Sequence, residues 1–193
     1  RHQIKVMTPH LALRPAVHAV LESLSVLPMD KRFSDEPLLA KYKREWQKVS
    51  GQQGGFQSEQ EEAGFYKRGE DMLRRVMDNP GPIKTLAVKI QQDLPYYWLS
   101  EDENIILCGK IDWLEYLPDS DALHIIDFKT GKVKEDENSL QLPIYKLLVE
   151  NCQQREVAKA SYWYLTLDDG MVEQGLPSTA EAHETVYKIA KDI

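Results

Sequence analysis

The spacing of apolar residues along the chain changes near residue 83. Before that point they recur every three to four positions, as on one face of a helix: Val17, Val20, Leu21 and Leu24, then Met72, Leu73 and Val76. The first set predicts a helix over Ala16–Leu27, with Pro15 in its opening turn and Pro28 beyond its end. The second predicts a helix over Ser58–Met77, with Phe65, Tyr66 and Met77 also facing a core, stopped by Asn79-Pro80-Gly81-Pro82. Between them a helix is expected over Asp35–Val49 behind Ser34 as cap, followed by a loop at Ser50–Gly55.

Beyond residue 83 the short runs are β-branched and aromatic. Thr85–Gln91, Tyr96–Leu99, Ile105–Tyr116 and Ala122–Lys129 read as strands, divided by polar turns at 100–104 and 118–121. Asn138 with Gln141 resembles a capping box for a helix reaching Glu150. Lys159–Leu167 then reads as a strand, Asp168-Asp169-Gly170 as a hairpin turn, and Ser178 with Glu181 as the start of a terminal helix. The expected organisation is one α/β (mixed α+β) domain over 1–193, with a helical part at 1–82 and a sheet-containing part at 83–193.

Two of the apolar runs end on carboxylates. Asp112 follows Ile105–Ile111, and Asp127 follows Leu123–Ile126 with Lys129 two positions later. Because charged residues make up 28% of the chain, a lone Asp-x-Lys triplet carries no information. Its place at the end of an apolar run does, since a carboxylate there is costly to desolvate unless paired or metal-bound. Residues i and i+2 of a strand share a face, so Asp127 and Lys129 emerge together while the Phe128 side chain points to the core. Asp112 and Asp127 are suited to hold Mg²⁺ through oxygen while leaving positions for a phosphate and a nucleophile. Lys129 would orient the attacking water or stabilise transition-state charge. The competing reading is a structural Asp–Lys ion pair at a strand end.

Gly109-Lys110-Ile111-Asp112, then Ile126-Asp127-Phe128-Lys129-Thr130-Gly131-Lys132, then Gln141-Leu142-Pro143-Ile144-Tyr145, together resemble the RecB-like branch of the PD-(D/E)XK nuclease superfamily. The stretch Ala16–Glu22 is similar to that family's histidine-bearing helix, although Arg14 stands where members often have glycine. The resemblance implies a restriction-endonuclease-like core, a central mixed β-sheet flanked by helices in the order αβββαβ. It further implies His18, Asp112, Asp127 and the backbone carbonyl of Phe128 as metal ligands, and Asp112, Asp127 and Lys129 as the catalytic set. Gln141 and Tyr145, one turn apart on a helix face, would lie at the active site and contact nucleic acid. A mixed nitrogen and oxygen donor set suits Mn²⁺ as well as Mg²⁺. Some RecB-like nucleases carry an iron–sulfur cluster held by four cysteines, whereas this chain has two, so no such cluster is expected.

Charge alters the picture of the partner. A net charge of −7 is opposite to the basic surface of an autonomous DNA binder. Glu101-Asp102-Glu103 and Glu135-Asp136-Glu137 hold part of the excess as solvated loops, while Lys132 and Lys134 beside the site are candidates for phosphate contact. The run Lys41–Lys48, basic with interleaved aromatics, reads either as a track for a single strand or as a helix face with Trp46 turned inwards. Weak intrinsic binding suggests a helicase or recombination partner that delivers DNA as single strands or duplex ends.

With 193 residues and 42% hydrophobic content the chain can bury one core. It contains no apolar run of membrane-spanning length, and its first residues have no signal-peptide pattern. It begins with Arg rather than Met, as a fragment or processed chain would. Cys108, expected in a central strand, and Cys152 form no CxxC pair, which fits a reducing cytoplasm. The function expected is metal-dependent DNA hydrolysis, as an exonuclease in repair, recombination or defence. Two other readings stay open: a catalytically silent nuclease-like binding module of a helicase–nuclease complex, and a metal-dependent hydrolase of another phosphorylated substrate.

Overall fold

The computed structural model describes residues 7–34, 36–92, 94–136, 138–167 and 170–192. Among the described residues five α-helices and six strands are found, and the chain divides into two compact units. Among the described residues, one unit comprises 7–84, 128–132 and 164–167, and the other 85–127, 133–163 and 170–192.

The first unit is built on α1 (Pro9–Glu22), α2 (Leu38–Gln47) and α3 (Glu59–Asp78), which pack against one another. Helix α1 begins seven residues earlier than its apolar stripe implied. Thr8 caps it through Oγ1, which accepts from the Leu11 amide, and Pro9 fills the first turn, where no amide donor is needed. Pro15 therefore lies inside the helix, where it cannot donate to the Leu11 carbonyl. Burial of Ala12, Leu13, Ala16, Val17, Val20 and Leu21 outweighs that loss, since each large aliphatic side chain contributes about 1.5–3 kcal/mol.

Helix α2 starts at Leu38 behind Pro37, while Ser34 bonds back to the Asp30 carbonyl and caps nothing. Asp35, its expected first residue, lies outside the described residues. Tyr42 and Trp46 are buried, so the inward reading of the Lys41–Lys48 face is the one the fold adopts. Trp46 Nε1 donates to Glu62 Oε1 at 2.9 Å. Gly69 of α3 makes room for Tyr42, whose ring occupies the space that a Cβ at residue 69 would take. Ser58 caps α3 as its sequence suggested, Phe65 and Tyr66 are half-buried, and Met77 points outwards rather than into the core. Residues Gly51–Gly54 of the expected loop form a 3-10 turn.

The second unit opens with a two-stranded antiparallel sheet, β1 (Tyr96–Ser100) and β2 (Ile105–Cys108). A four-stranded sheet follows in the order β3 (Trp113–Leu117), β4 (Ala122–Lys129), β5 (Val157–Tyr164), β6 (Met171–Gln174). β3–β4 and β5–β6 are antiparallel. The Leu123 amide donates to the Glu156 carbonyl and the Leu165 amide to the Lys129 carbonyl, so β4 and β5 run in the same direction. Helix α4 (Gln141–Cys152) supplies the crossover that a parallel pair requires. This is a mixed α/β architecture of restriction-endonuclease-like type. Strand β4 is buried from Ala122 to Phe128, as befits an interior strand covered on both faces. Helix α5 (Thr179–Ala190) carries the Ser178–Glu181 capping box and packs on α4.

Four expectations are corrected here. Thr85–Gln91 forms no strand: only Ala87 bridges to Glu115, with Val88 and Leu86 bonded to Leu114 and Tyr116. The apolar run Ile105–Tyr116 is two strands, broken where Gly109 passes α4 so closely that a Cβ would sit 2.9 Å from Leu148 Cδ1. Cys108 lies at the exposed end of β2, not in a central strand. Helix α4 has no side-chain cap, because the Asn138 amide bonds to Asp136 and the Gln141 side chain is engaged elsewhere. Glu137 lies outside the described residues, as do Asp168 and Asp169 of the expected hairpin turn.

Candidate active site

In the second unit the β3–β4 ladder pairs Glu115 with His124, Leu114 with Ile125 and Trp113 with Ile126. The ladder ends at that last pair: Asp112 lies in a bend immediately before Trp113, and Asp127 follows Ile126 within β4. Both aspartates are buried, Asp127 fully so at 0% exposure. Such oxygen donors, withdrawn from solvent, suit a hard divalent cation.

Helix α4 brings a third element to Asp127. Gln141 Nε2 donates to Asp127 Oδ1 at 2.8 Å and to the Tyr145 hydroxyl at 2.9 Å. The one-turn spacing of Gln141 and Tyr145 makes this chain possible. The amide leaves Asp127 with further acceptor capacity while fixing its orientation.

The ladder is braced three positions further along. His124 Nδ1 donates to Glu115 Oε2 at 2.8 Å, and His124 Nε2 lies 2.8 Å from Ser161 Oγ. Glu115 Oε1 accepts from Thr85 at 2.8 Å. The His124 hydrogen bond, helped by that of Thr85 and opposed by burial, holds the Glu115 carboxyl below the usual carboxylate range. The set has the residue types of a nucleophilic triad, but Ser161 is 1% exposed and no substrate can reach it. Its role is to tie β3, β4 and β5 together three residues before Asp127.

The first unit carries the other expected residues. His18 is buried on α1, its ring edge-on to Phe128 with centroids 6.0 Å apart. One helical turn on, Glu22 Oε1 lies 4.0 Å from His18 Nδ1, and both side chains are candidate metal donors. Sequence reasoning missed Glu22, although its i,i+4 spacing from His18 is plain in Ala16–Glu22. Phe128 is buried and Lys129 half-buried at the end of β4, where Lys129 follows Asp127 at the same-face spacing of two. Lys132 and Lys134 are exposed in the connection to α4. The structure thus gathers Asp112, Asp127, Gln141 and Tyr145 in one unit, and groups His18, Glu22 and Phe128 in the other.

A mixed four-stranded sheet with helices, carrying the buried Asp112 and Asp127, is consistent with the restriction-endonuclease-like class. The model of the PD-(D/E)XK nuclease superfamily matches residues 12–193, and the chain belongs to that superfamily. No curated protein matches the chain significantly. Nucleases of this superfamily typically depend on a divalent metal. Among the described residues, no helix is long and apolar enough to cross a membrane.

Proposed function

We propose that the chain is a metal-dependent deoxyribonuclease of the RecB-like branch, hydrolysing phosphodiester bonds as an exonuclease on single strands or duplex ends. The observation that carries the reading is the burial of Asp112 and Asp127 beside the last pair of the β3–β4 ladder, with Gln141 bonded to Asp127 and Lys129 two residues further along β4. Asp112, Asp127, His18 and the Phe128 carbonyl would hold Mg²⁺ or Mn²⁺, with Glu22 as a further donor. When bound, the ion supplies Lewis-acid polarisation of the phosphate and a more acidic water.

The chain's own residues do the rest. Lys129 places a cation where negative charge grows on the phosphate or beside the attacking water. Gln141 holds Asp127 in its ligating orientation. Gln141 and Tyr145 would contact the nucleic acid, and Lys132 and Lys134 the phosphates flanking the cut. In this reading both units serve one nuclease domain, working in the cytoplasm in repair, recombination or defence, with a helicase or recombination protein delivering DNA.

The net charge of −7 favours a second reading, a silent nuclease-like module that binds nucleic acid or a protein within a helicase–nuclease complex. Incubating the chain with end-labelled single- and double-stranded DNA, in Mg²⁺, Mn²⁺ or EDTA, separates the two. Cutting that needs metal and disappears in Asp127→Ala and Lys129→Ala supports the nuclease, and the product ladder reports its polarity. Intact substrate under every metal leaves the binding module.

A further inference from the structure

The chain leaves the sheet at Lys129. Strand β4 ends on that residue, and residues 130–136 and 138–140, before α4, lie in no helix or strand. A lysine side chain is a long flexible stem, so its ammonium is placed only as well as the backbone beneath it is held.

Within the helical unit, two segments distant in sequence hold that backbone. The Leu165 amide donates to the Lys129 carbonyl at 2.9 Å, one residue past the end of β5 at Tyr164. The Thr166 hydroxyl donates to the Gly131 carbonyl. Arg75, in the last turn of α3, donates through Nη1 to the Leu165 carbonyl at 3.2 Å, a bond between residues 90 positions apart. Leu165 is 2% exposed, and a buried carbonyl beyond the end of its strand needs a donor from elsewhere. The donor that Arg75 supplies is charged, and such bonds are stronger than neutral ones. A line of contacts thus runs from α3 through Leu165 to Lys129, with Thr166 securing the chain two residues further on.

We propose that Arg75 and Thr166 are positioning residues, which hold the Lys129 ammonium on the reacting phosphate by fixing the backbone of residues 129–131. The proposal rests on the nuclease reading above, in which Lys129 acts on that phosphate. Misplacing a reacting group by about 1 Å costs on the order of 100-fold in rate. Losing one of the two ties should cost less, because the other remains.

Single-turnover cleavage of end-labelled DNA in Mn²⁺ tests this in the whole chain, with the DNA concentration at half-maximal rate and the metal-dependent rise in melting temperature measured alongside. Arg75→Ala and Thr166→Val should each slow cleavage at saturating DNA by about 3- to 30-fold with unchanged circular dichroism, while half-saturation and the metal-dependent rise move by less than about twofold. Arg75→Lys, which keeps a donor and the charge, should recover most of the lost rate. Arg74→Ala, which removes an exposed charge from the neighbouring position, should cut at the wild-type rate. In a Lys129→Ala background neither Arg75→Ala nor Thr166→Val should slow the residual cleavage further, because the group they place is gone. A loss that appears as weaker DNA binding, or that persists undiminished without Lys129, would overturn the proposal. Wild-type cutting matched by both variants removes the positioning role alone, whereas a wild type that cuts under no metal removes the nuclease reading and the positioning role with it.

Discussion

Trp113 pairs with Ile126 at the last register position of the β3–β4 ladder, with buried Asp112 immediately before the one and buried Asp127 immediately after the other. The two aspartates are distant in sequence, and the ladder rather than any local motif brings their neighbours together. In the function proposed above they would supply oxygen donors to a divalent cation, and the consequences for binding and turnover can be measured.

A ligand that binds only the folded state raises stability by an amount set by its concentration, about 2.7 kcal/mol at one hundred times Kd. The melting temperature of the wild type should therefore climb with Mn²⁺ or Mg²⁺, and this rise should vanish in Asp112→Asn and Asp127→Asn. Thermal scans across a metal titration check this; a metal-induced rise preserved in both variants would remove the aspartates from the site.

Lys129→Ala should leave that metal-dependent rise in place while lowering turnover by at least about 100-fold, the usual loss when a charge aimed at the transition state is removed. Comparing single-turnover rates with the metal titration separates its role from those of the aspartates.

Gln141→Ala removes the 2.8 Å hydrogen bond to Asp127 Oδ1. Partners that orient a ligating carboxylate typically change metal affinity or activity by about 10- to 100-fold, and a loss in that range is expected here. Glu22→Gln, beside His18, should weaken metal binding to a similar degree without altering the DNA affinity measured in EDTA. Calorimetric metal titration of both variants decides.

Glu115 has its folded pKa depressed, first by the hydrogen bond from His124 and then by that from Thr85. Its ionised form therefore stabilises the fold above the unfolded pKa, and this contribution disappears as pH falls through the lower folded value. Glu115→Gln should be less stable than the wild type by about 1–3 kcal/mol at pH 7, with the gap narrowing as pH drops below about 4.3. Urea unfolding at several pH values tests the sign; a gap that widens in acid would refute it.

Gly69→Ala should cost about 1–3 kcal/mol, because the new methyl group collides with the Tyr42 ring in a packed interior. Chemical denaturation measures it. Gly64→Ala in the same helix, where a Cβ meets nothing within 4 Å, is the control and should be neutral or stabilising.

Much of the fold was legible because its signals are local. The helix of α3, strand β4 and the Ser178–Glu181 cap follow from periodicity and capping chemistry that act over a few residues. Misread segments were those where distant contacts decide. Helix α1 runs through Pro15 because burial repays a missing hydrogen bond, and β2 parts from β3 because Gly109 must pass Leu148. At the site, Asp112, Asp127, Lys129, Gln141 and Tyr145 stood out as residue types in order. Glu22 did not, since an i,i+4 acid beside a histidine is common on any helix.

By itself the sequence determined helix α3, strand β4, the capped start of α5 and the two-residue spacing of Asp127 and Lys129, because helical and strand periods and caps act over a few residues whatever surrounds them. Only the tertiary structure decided that Asp112 and Asp127 are buried beside the end of one ladder, that Gln141 reaches Asp127 instead of capping α4, and that Trp98 stays in solvent while Trp46 does not. Those outcomes depend on which segments meet across long stretches of chain, and the free energy that selects the meeting is shared among many packed side chains rather than written in any one motif.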